Sequence, residues 1–108
     1  RITSITAEED ELGRAYYWIG INLKNLGEYE EAVRQFLRVP YLRTGGMWGI
    51  TSRLEAAGCY RKMGRYDEAA GIYGAVLEKY GEKSDWGRIA SGYLQQIHDR
   101  QEQTDGQH

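Results

Sequence analysis

Leu26-Gly27-Glu28-Tyr29-Glu30-Glu31-Ala32 and Met63-Gly64-Arg65-Tyr66-Asp67-Glu68-Ala69 are two versions of one phrase, 37 positions apart in a chain of 108 residues. Both have glycine, tyrosine and alanine at the same offsets, with acidic residues between the tyrosine and the alanine. Glycine most readily adopts the left-handed conformation that ends a helix, and acidic residues favour the first turn of the next helix. Each phrase therefore predicts a tight turn between two helices.

The residues around the first phrase predict a helix on each side of it. Apolar side chains recur in steps of three and four before the glycine, at Leu12, Tyr16, Ile19, Leu23 and Leu26. We expect this first helix to begin near Ala7, with Thr6 as its capping residue. The second helix runs from Glu28 to about Val39 and stops there, because Pro40 lacks a backbone donor.

Three more helices are predicted after a linker at residues 41–46, which contains Gly45-Gly46. They span about 47–63, 66–80 and 84–100, and Ser84 or Asp85 can cap the last of them. No segment shows the alternation of a strand. The chain 1–108 is thus expected to be one domain, with repeat one at 7–40, repeat two at 45–80, a capping helix at 84–100 and a disordered polar tail at 101–108.

A second pattern recurs in the helix that precedes each turn. Tyr16-x-x-Ile19-Gly20-x-x-Leu23 matches Arg53-x-x-Ala56-Ala57-x-x-Tyr60, and Trp86-x-x-Ile89-Ala90-x-x-Tyr93 begins a third copy. The small residues in these patterns allow helix backbones to approach, while Phe36 and Tyr73 fill the space between one hairpin and the next. Because one helical hairpin cannot bury its apolar face alone, we expect the hairpins to stack.

These patterns resemble the tetratricopeptide repeat, in which a W-x₂-L-G-x₂-Y helix is followed by an A-x₃-F helix. The resemblance covers about residues 13–97. It departs from the family at Arg53, which replaces an aromatic residue, and at Pro40, which comes four residues early. It implies an all-α fold, a right-handed α-α superhelix or solenoid of five helices in two and a half repeats. It also implies a non-catalytic module for protein–protein interaction.

The linker before Met47 and the pair Cys59-Tyr60 look similar to one bacterial subgroup of that family. This subgroup includes the outer-membrane assembly lipoproteins and the Tol-Pal-associated periplasmic protein. The resemblance implies a location in the bacterial periplasm or cell envelope, with the cytoplasm as the alternative.

Composition and charge exclude several classes of protein. Fourteen Lys and Arg against sixteen Asp and Glu give a net charge of −2, without the basic stripe that nucleic acid requires. No run of residues is long and apolar enough for a membrane span. Cys59 with His98 is a conceivable nucleophile and base, but Cys59 lies among Ala56, Ala57 and Tyr60 and is predicted to be a small buried thiol. We therefore expect no catalytic residue, no metal and no cofactor.

The candidate binding surface is the stripe of each first helix that adjoins the consensus residues, which the family resemblance places on the concave side. It consists of Arg14, Tyr17, Ile21 and Lys24 from the first helix, Thr51, Leu54, Gly58 and Arg61 from the third, and Ser84, Gly87, Ser91 and Leu94 from the fifth. Its apolar middle and cationic edges predict binding of a peptide or protein segment with an apolar anchor and a carboxylate. Gly58 would leave a pit for a ligand side chain. The alternative is a solvated surface with scattered apolar residues.

Trp18 supports a second hypothesis, because it is a large aromatic residue outside the consensus set. It is predicted to pack against an upstream repeat of a longer chain or against another copy of this chain, as in a homo-oligomer. The alternative is a partly covered surface tryptophan. A third hypothesis, an enzyme or a nucleic-acid-binding solenoid, is disfavoured because no set of convergent polar groups is apparent.

Overall fold

Five α-helices make up the part of the chain that the computed structural model describes, residues 7–39 and 47–106, and that part contains no strand. The helices are α1 (Ala7–Asn25), α2 (Tyr29–Arg38), α3 (Met47–Lys62), α4 (Tyr66–Tyr80) and α5 (Asp85–Gly106). The predicted starts and ends of the first four helices are confirmed to within about two residues. The predicted cap at Thr6, the stop at Pro40 and the linker at 41–46 lie outside the described residues.

The two glycine phrases form the same turn. Gly27 has φ +83° and Gly64 has φ +77°, a conformation that a side chain makes costly. In both turns the amide of the residue after the glycine donates to the carbonyl five residues back, at 2.9 and 2.8 Å. This is the hydrogen-bond pattern of a Schellman motif, which satisfies carbonyls at the end of a helix. The prediction of two equivalent turns is therefore confirmed.

Helices that are neighbours in sequence are also neighbours in space. The pairs α1–α2 and α3–α4 form the two hairpins, α2 packs on α3, and α4 packs on α5. The two first helices, α1 and α3, also touch each other. This order is that of a helical solenoid with two hairpins and one additional helix.

The core consists of two clusters that meet at α3. Ala56 and Cys59 pack with α2, whereas Ala57 and Ile50 pack with α4 and α5. The alanines at 56 and 57 are each 0% exposed. Because successive helical residues point about 100° apart, this pair lets α3 approach the preceding hairpin with one alanine and its own partner helix with the other.

Gly20 marks the closest approach inside the first hairpin. A Cβ atom built on Gly20 would lie 2.6 Å from Cε1 of Phe36. Phe36 itself is completely buried. The prediction that small residues permit close helix packing is confirmed at this position, since the aromatic ring occupies the space that a side chain would need.

The start of α5 is held by Ser84 and by a second close glycine. The Ser84 hydroxyl accepts a hydrogen bond from the Gly87 amide at 2.9 Å and donates one to the Gly81 carbonyl at 2.9 Å. Of the two residues predicted as caps, Ser84 is therefore the cap. A Cβ atom on Gly87 would lie 1.7 Å from the carbonyl oxygen of Gly81, so the connection before α5 requires glycine at 87.

The last helix is longer than predicted. It reaches Gly106, so residues 101–106 of the expected disordered tail are helical. No proline or glycine interrupts residues 93–105. In addition, the Gln101 amide donates to Asp67 Oδ1 at 3.4 Å, and the Arg100 guanidinium lies 5.1 Å from the centre of the Tyr66 ring. These contacts with α4 extend the helix beyond the part that its apolar pattern covers.

The predicted register of α5 is wrong by one residue. The sequence pattern aligns Ile89-Ala90 with Ala56-Ala57, yet Ala90 is 0% exposed and packs with the α4 residues of the core, while Ile89 is 43% exposed. Ala90 thus faces the preceding helix as Ala56 does, and the true spacing is 34 rather than 33. The one-residue error rotates the predicted surface of α5 by about 100°.

Candidate functional site

A large groove lies on the side of the molecule formed by α1, α3 and α5. Its volume is about 640 Å³. It is lined by Lys24, Asn25, Tyr29, Thr51, Leu54, Glu55, Gly58, Arg61, Lys62, Tyr73, Ile89 and Tyr93. We call this site the first-helix groove, because the first helices of the hairpins, together with α5, supply most of its surface.

Five of the twelve residues of the predicted binding surface lie in the first-helix groove: Lys24, Thr51, Leu54, Gly58 and Arg61. The other three predicted residues of α1 lie elsewhere on that helix. Tyr17 and Ile21 pack, half-buried, against the cluster between α2 and α3, and Arg14 is exposed.

Aromatic neighbours explain why Tyr17 faces inward. Its ring centre lies 5.9 Å from that of Phe36 and 5.3 Å from that of Trp48. Burial raises the pKa of its hydroxyl, and the nearby Glu55 carboxylate raises it further. Tyr17 is thus a packing residue between α1, α2 and α3 in this structure.

An ion pair crosses the groove at its α1 end. Lys24 Nζ donates to Glu55 Oε1 at 2.7 Å, and the two side chains are 33% and 28% exposed. This hydrogen bond raises the pKa of Lys24. Partly exposed pairs of this kind contribute about 0.2–1 kcal/mol, so the pair links α1 to α3 but adds little to the stability of the fold.

Arg61 is held in place by two tyrosines. Its guanidinium carbon lies 4.3 Å from the centre of the Tyr93 ring, which stacks on Tyr73 with ring centres 5.0 Å apart. Burial raises the pKa of Tyr73, and hydrogen bonding to Arg61 opposes that rise. An arginine stacked on an aromatic ring keeps its outer N–H groups available to a carboxylate. This stack of Arg61, Tyr93 and Tyr73, which we call the Arg61 ladder, therefore places a cation in the lining of the groove.

The charges of the groove favour an anionic ligand. Lys24, Arg61 and Lys62 are opposed only by Glu55 among its lining residues, which leaves a local net charge of +2 on a chain whose overall charge is −2. Apolar contact area comes from Leu54 and from other lining residues, and Leu54 also packs against the core.

Gly58 leaves open space in the second half of α3. A Cβ atom there would have no neighbour closer than Arg61 Nη1, at 4.0 Å. Glycine costs about 0.5–1 kcal/mol relative to alanine in the middle of a helix. The predicted pit beside Gly58 is consistent with this free space.

Several groove residues were missed by the sequence analysis. Glu55 lies one residue away from the predicted stripe, and Ile89 and Tyr93 replace the predicted α5 residues. Gly87 is instead buried against the Gly81 carbonyl, and Leu94 packs against the core. Ile89 lies 34 positions after Glu55, so both residues belong to one row that the predicted stripe left out.

The outer side of α1 is the main exposed apolar surface among the described residues. Leu12, Trp18, Ile19 and Leu26 are 44%, 52%, 45% and 77% exposed. The Trp18 ring makes an edge contact with Tyr17, with centres 5.1 Å apart. Trp18 is therefore partly covered on one side and open on the other.

Cys59, considered above as a conceivable nucleophile, lies in the core. Cys59 is 0% exposed, and burial raises the pKa of its thiol from 9.0 to about 11. This confirms the prediction of a small buried thiol. No group of three His, Cys, Asp or Glu side chains in residues 7–39 and 47–106 is arranged to hold a metal ion. None of the helices in these ranges is sufficiently long and apolar to cross a membrane.

Stacked helical hairpins with an open groove along their first helices define a helical-repeat protein. Two family models of the tetratricopeptide repeat match the chain, over residues 13–39 and 51–82. The matches fall on the two hairpins and together span more than half of the chain, so the chain belongs to the tetratricopeptide repeat family. Repeats of this family generally mediate protein–protein interaction as non-catalytic scaffolds. Comparisons with curated proteins and with solved structures found no match.

Proposed function

We propose that this chain is a protein-interaction module that binds an extended peptide segment in the first-helix groove. The observation that carries the proposal is the Arg61 guanidinium fixed on the Tyr93 ring, next to the apolar surface of Leu54 in one groove. A ligand with an apolar side chain and a nearby carboxylate would satisfy both features.

The rest of the groove supports the same class of ligand. Lys62 is exposed and adds a second cation beside Arg61. Lys24 is already paired with Glu55, so we assign the carboxylate to Arg61 and Lys62 and the apolar anchor to the space beside Gly58. This role requires no cofactor and no reaction.

Peptide titration tests the proposal. Labelled peptides with a leucine or phenylalanine next to a C-terminal carboxylate are titrated with the chain, alongside the same peptides as C-terminal amides. Charge-assisted hydrogen bonds contribute about 1.5–3 kcal/mol, so we expect the amides and the Arg61→Ala variant to bind about tenfold more weakly or worse. Arg34→Ala is the matched control, since Arg34 lies on α2 outside the groove and pairs with Glu31. Equal affinity for acid and amide, or for Arg61→Ala and Arg34→Ala, would reject the assignment.

A second candidate function, packing within a larger assembly, is favoured by the exposed apolar side of α1. Four large apolar side chains more than two-fifths exposed, three on α1 and one directly after it, are unusual for a surface that remains in water. The predicted partners of this surface are upstream repeats of a longer chain or another copy of this chain.

The location in the bacterial periplasm or cell envelope stays a prediction that rests on resemblance in the linker and at Cys59-Tyr60, with the cytoplasm as the alternative. Fractionation of cells that express the parent gene, with an antibody against this chain, would test it.

A further inference from the structure

A single line of residues runs along the outer side of α1. Leu12, Ala15, Ile19 and Asn22 of α1, and Leu26 directly after it, follow one another at spacings of three, four, three and four, and all five are exposed. This spacing places side chains in a straight row on one side of a helix. We call the row the α1 stripe.

The same row on α3 is covered by a helix. The three α3 residues 37 positions after the middle of the stripe, Ser52, Ala56 and Cys59, are each 0% exposed. Ala56 and Cys59 share a cluster with Phe36 of α2. In this fold, therefore, a row at this place on a first helix is a helix-packing surface.

We propose that a second copy of this chain covers the α1 stripe with its own α1, in antiparallel orientation. The stripe is symmetric about Ile19 to within one residue, with leucine at both ends and a small or short side chain between each leucine and the isoleucine. A two-fold axis at Ile19 places each leucine against the other leucine of the second copy, and Ala15 about 1.5 Å along the axis from Asn22. A two-fold interface requires a surface that is complementary to itself, as this one is.

Charge decides the orientation. Glu8 and Glu11 are exposed near the start of α1. A parallel pair would bring the glutamates of both copies together, whereas an antiparallel pair separates them by most of the helix length of about 28 Å. Antiparallel helix dipoles also attract each other. Trp18, beside the axis and 52% exposed, supplies the large aromatic side chain that commonly anchors an interface.

The interface is small. The area that one pair of helices of this length buries is close to the lower limit of roughly 1,000 Å² for a stable interface. We therefore expect a weak dimer, in exchange with monomer and populated only at high protein concentration.

Sedimentation of the full chain is the first test. The weight-average mass is expected to rise toward twice the monomer mass between micromolar and millimolar concentration. Ile19→Glu should abolish the rise, while Ser91→Glu, a matched change at an exposed position of α5, should leave it intact. A monomer at all concentrations overturns the proposal and leaves the stripe to a different helix, such as one from a further hairpin. A rise that persists in Ile19→Glu also overturns it.

Disulfide cross-linking tests the orientation. Ile19→Cys lies on the proposed axis, so it should link to itself, and Cys59 is too deeply buried to compete. Ala15→Cys should not link to itself, because two such positions would be about 12 Å apart along the axis, beyond the reach of about 7 Å for a disulfide. A mixture of Ala15→Cys and Asn22→Cys should link. Self-linking of Ala15→Cys would indicate parallel or unspecific contact and would overturn the proposal.

Discussion

Glycine serves opposite purposes at different positions of this chain. At Gly20 the Phe36 ring occupies the space of a side chain, and at Gly87 a backbone carbonyl does so. At Gly74, in α4, a Cβ atom would have no neighbour within 4 Å. The first two are required by packing, whereas the third carries only the entropic cost of glycine in a helix.

Alanine substitution separates these roles. Gly20→Ala is expected to lower the free energy of unfolding by about 1–3 kcal/mol, because Phe36 has to move in a filled core. Gly74→Ala is expected to raise it by about 0.5–1 kcal/mol through helix propensity alone. Urea unfolding followed by circular dichroism measures both. A stabilising effect of Gly20→Ala would mean that the close contact with Phe36 is wrong.

Two buried side chains that lose a proton at high pH, Cys59 and Tyr73, predict a loss of stability in alkali. Burial raises the pKa of Cys59 from 9.0 to about 11 and also raises the pKa of Tyr73. In both cases the folded chain holds the proton more tightly than the unfolded chain does. The free energy of unfolding should therefore be independent of these groups below about pH 9 and should fall as the pH rises from 9 to about 11.

The urea midpoint at a series of pH values measures this effect. Cys59→Ala should show a shallower decline than the wild-type chain over the same range, because one of the two acids is gone. The native thiol should also resist an aromatic disulfide reagent near neutral pH and react once the chain is unfolded. Parallel declines for wild type and Cys59→Ala would assign the alkaline loss to other groups.

At the scale of elements, the α3–α4 hairpin depends on a small residue at its centre. Ala69 is 0% exposed and shares a cluster with Ala57 and Tyr73. Larger side chains at such a contact force helices apart, since cores are packed without spare volume.

Ala69→Leu is expected to destabilise the chain by about 1–3 kcal/mol. Ala75→Leu is the control, because Ala75 lies on the same helix but is exposed. Thermal melts of the two variants compare the positions directly. Similar melting temperatures for both would contradict the assignment of Ala69 to the hairpin contact.

For the whole molecule, the linear order of contacts implies that each element depends on its neighbours. Tyr73 and Val76 of α4 lie in a cluster that α5 completes with Ala90 and Ile97. Removal of α5 would expose this cluster to water, at about 25 cal/mol for each Å² of apolar surface.

A chain that ends at residue 81 is therefore expected to lose its cooperative transition or to melt at a much lower temperature than the full chain. Far-ultraviolet circular dichroism and tryptophan fluorescence should give one coincident transition for the full chain. A truncated chain with the full melting temperature would show that the hairpins are independent.

The first-helix groove shows which site residues a sequence pattern can predict and which it cannot. Lys24, Leu54, Gly58 and Arg61 were predicted because they lie on the stripe beside the consensus residues, which the family resemblance places on the concave side. Glu55 was missed, because its place in the groove comes from its ion pair with Lys24, 31 residues earlier in the sequence. Local periodicity contains no information on which side chains pair across that separation.

The sequence by itself determined the helices, the two turns and the stacking order, because these follow from local spacing and from the left-handed conformation that glycine adopts at Gly27 and Gly64. Tertiary structure alone decided the rotation of α5, the inward position of Tyr17 and the ladder of Arg61 on Tyr93. These features depend on which side chains fill the space between helices, and a shift of one residue in that packing turns a helix by about 100°.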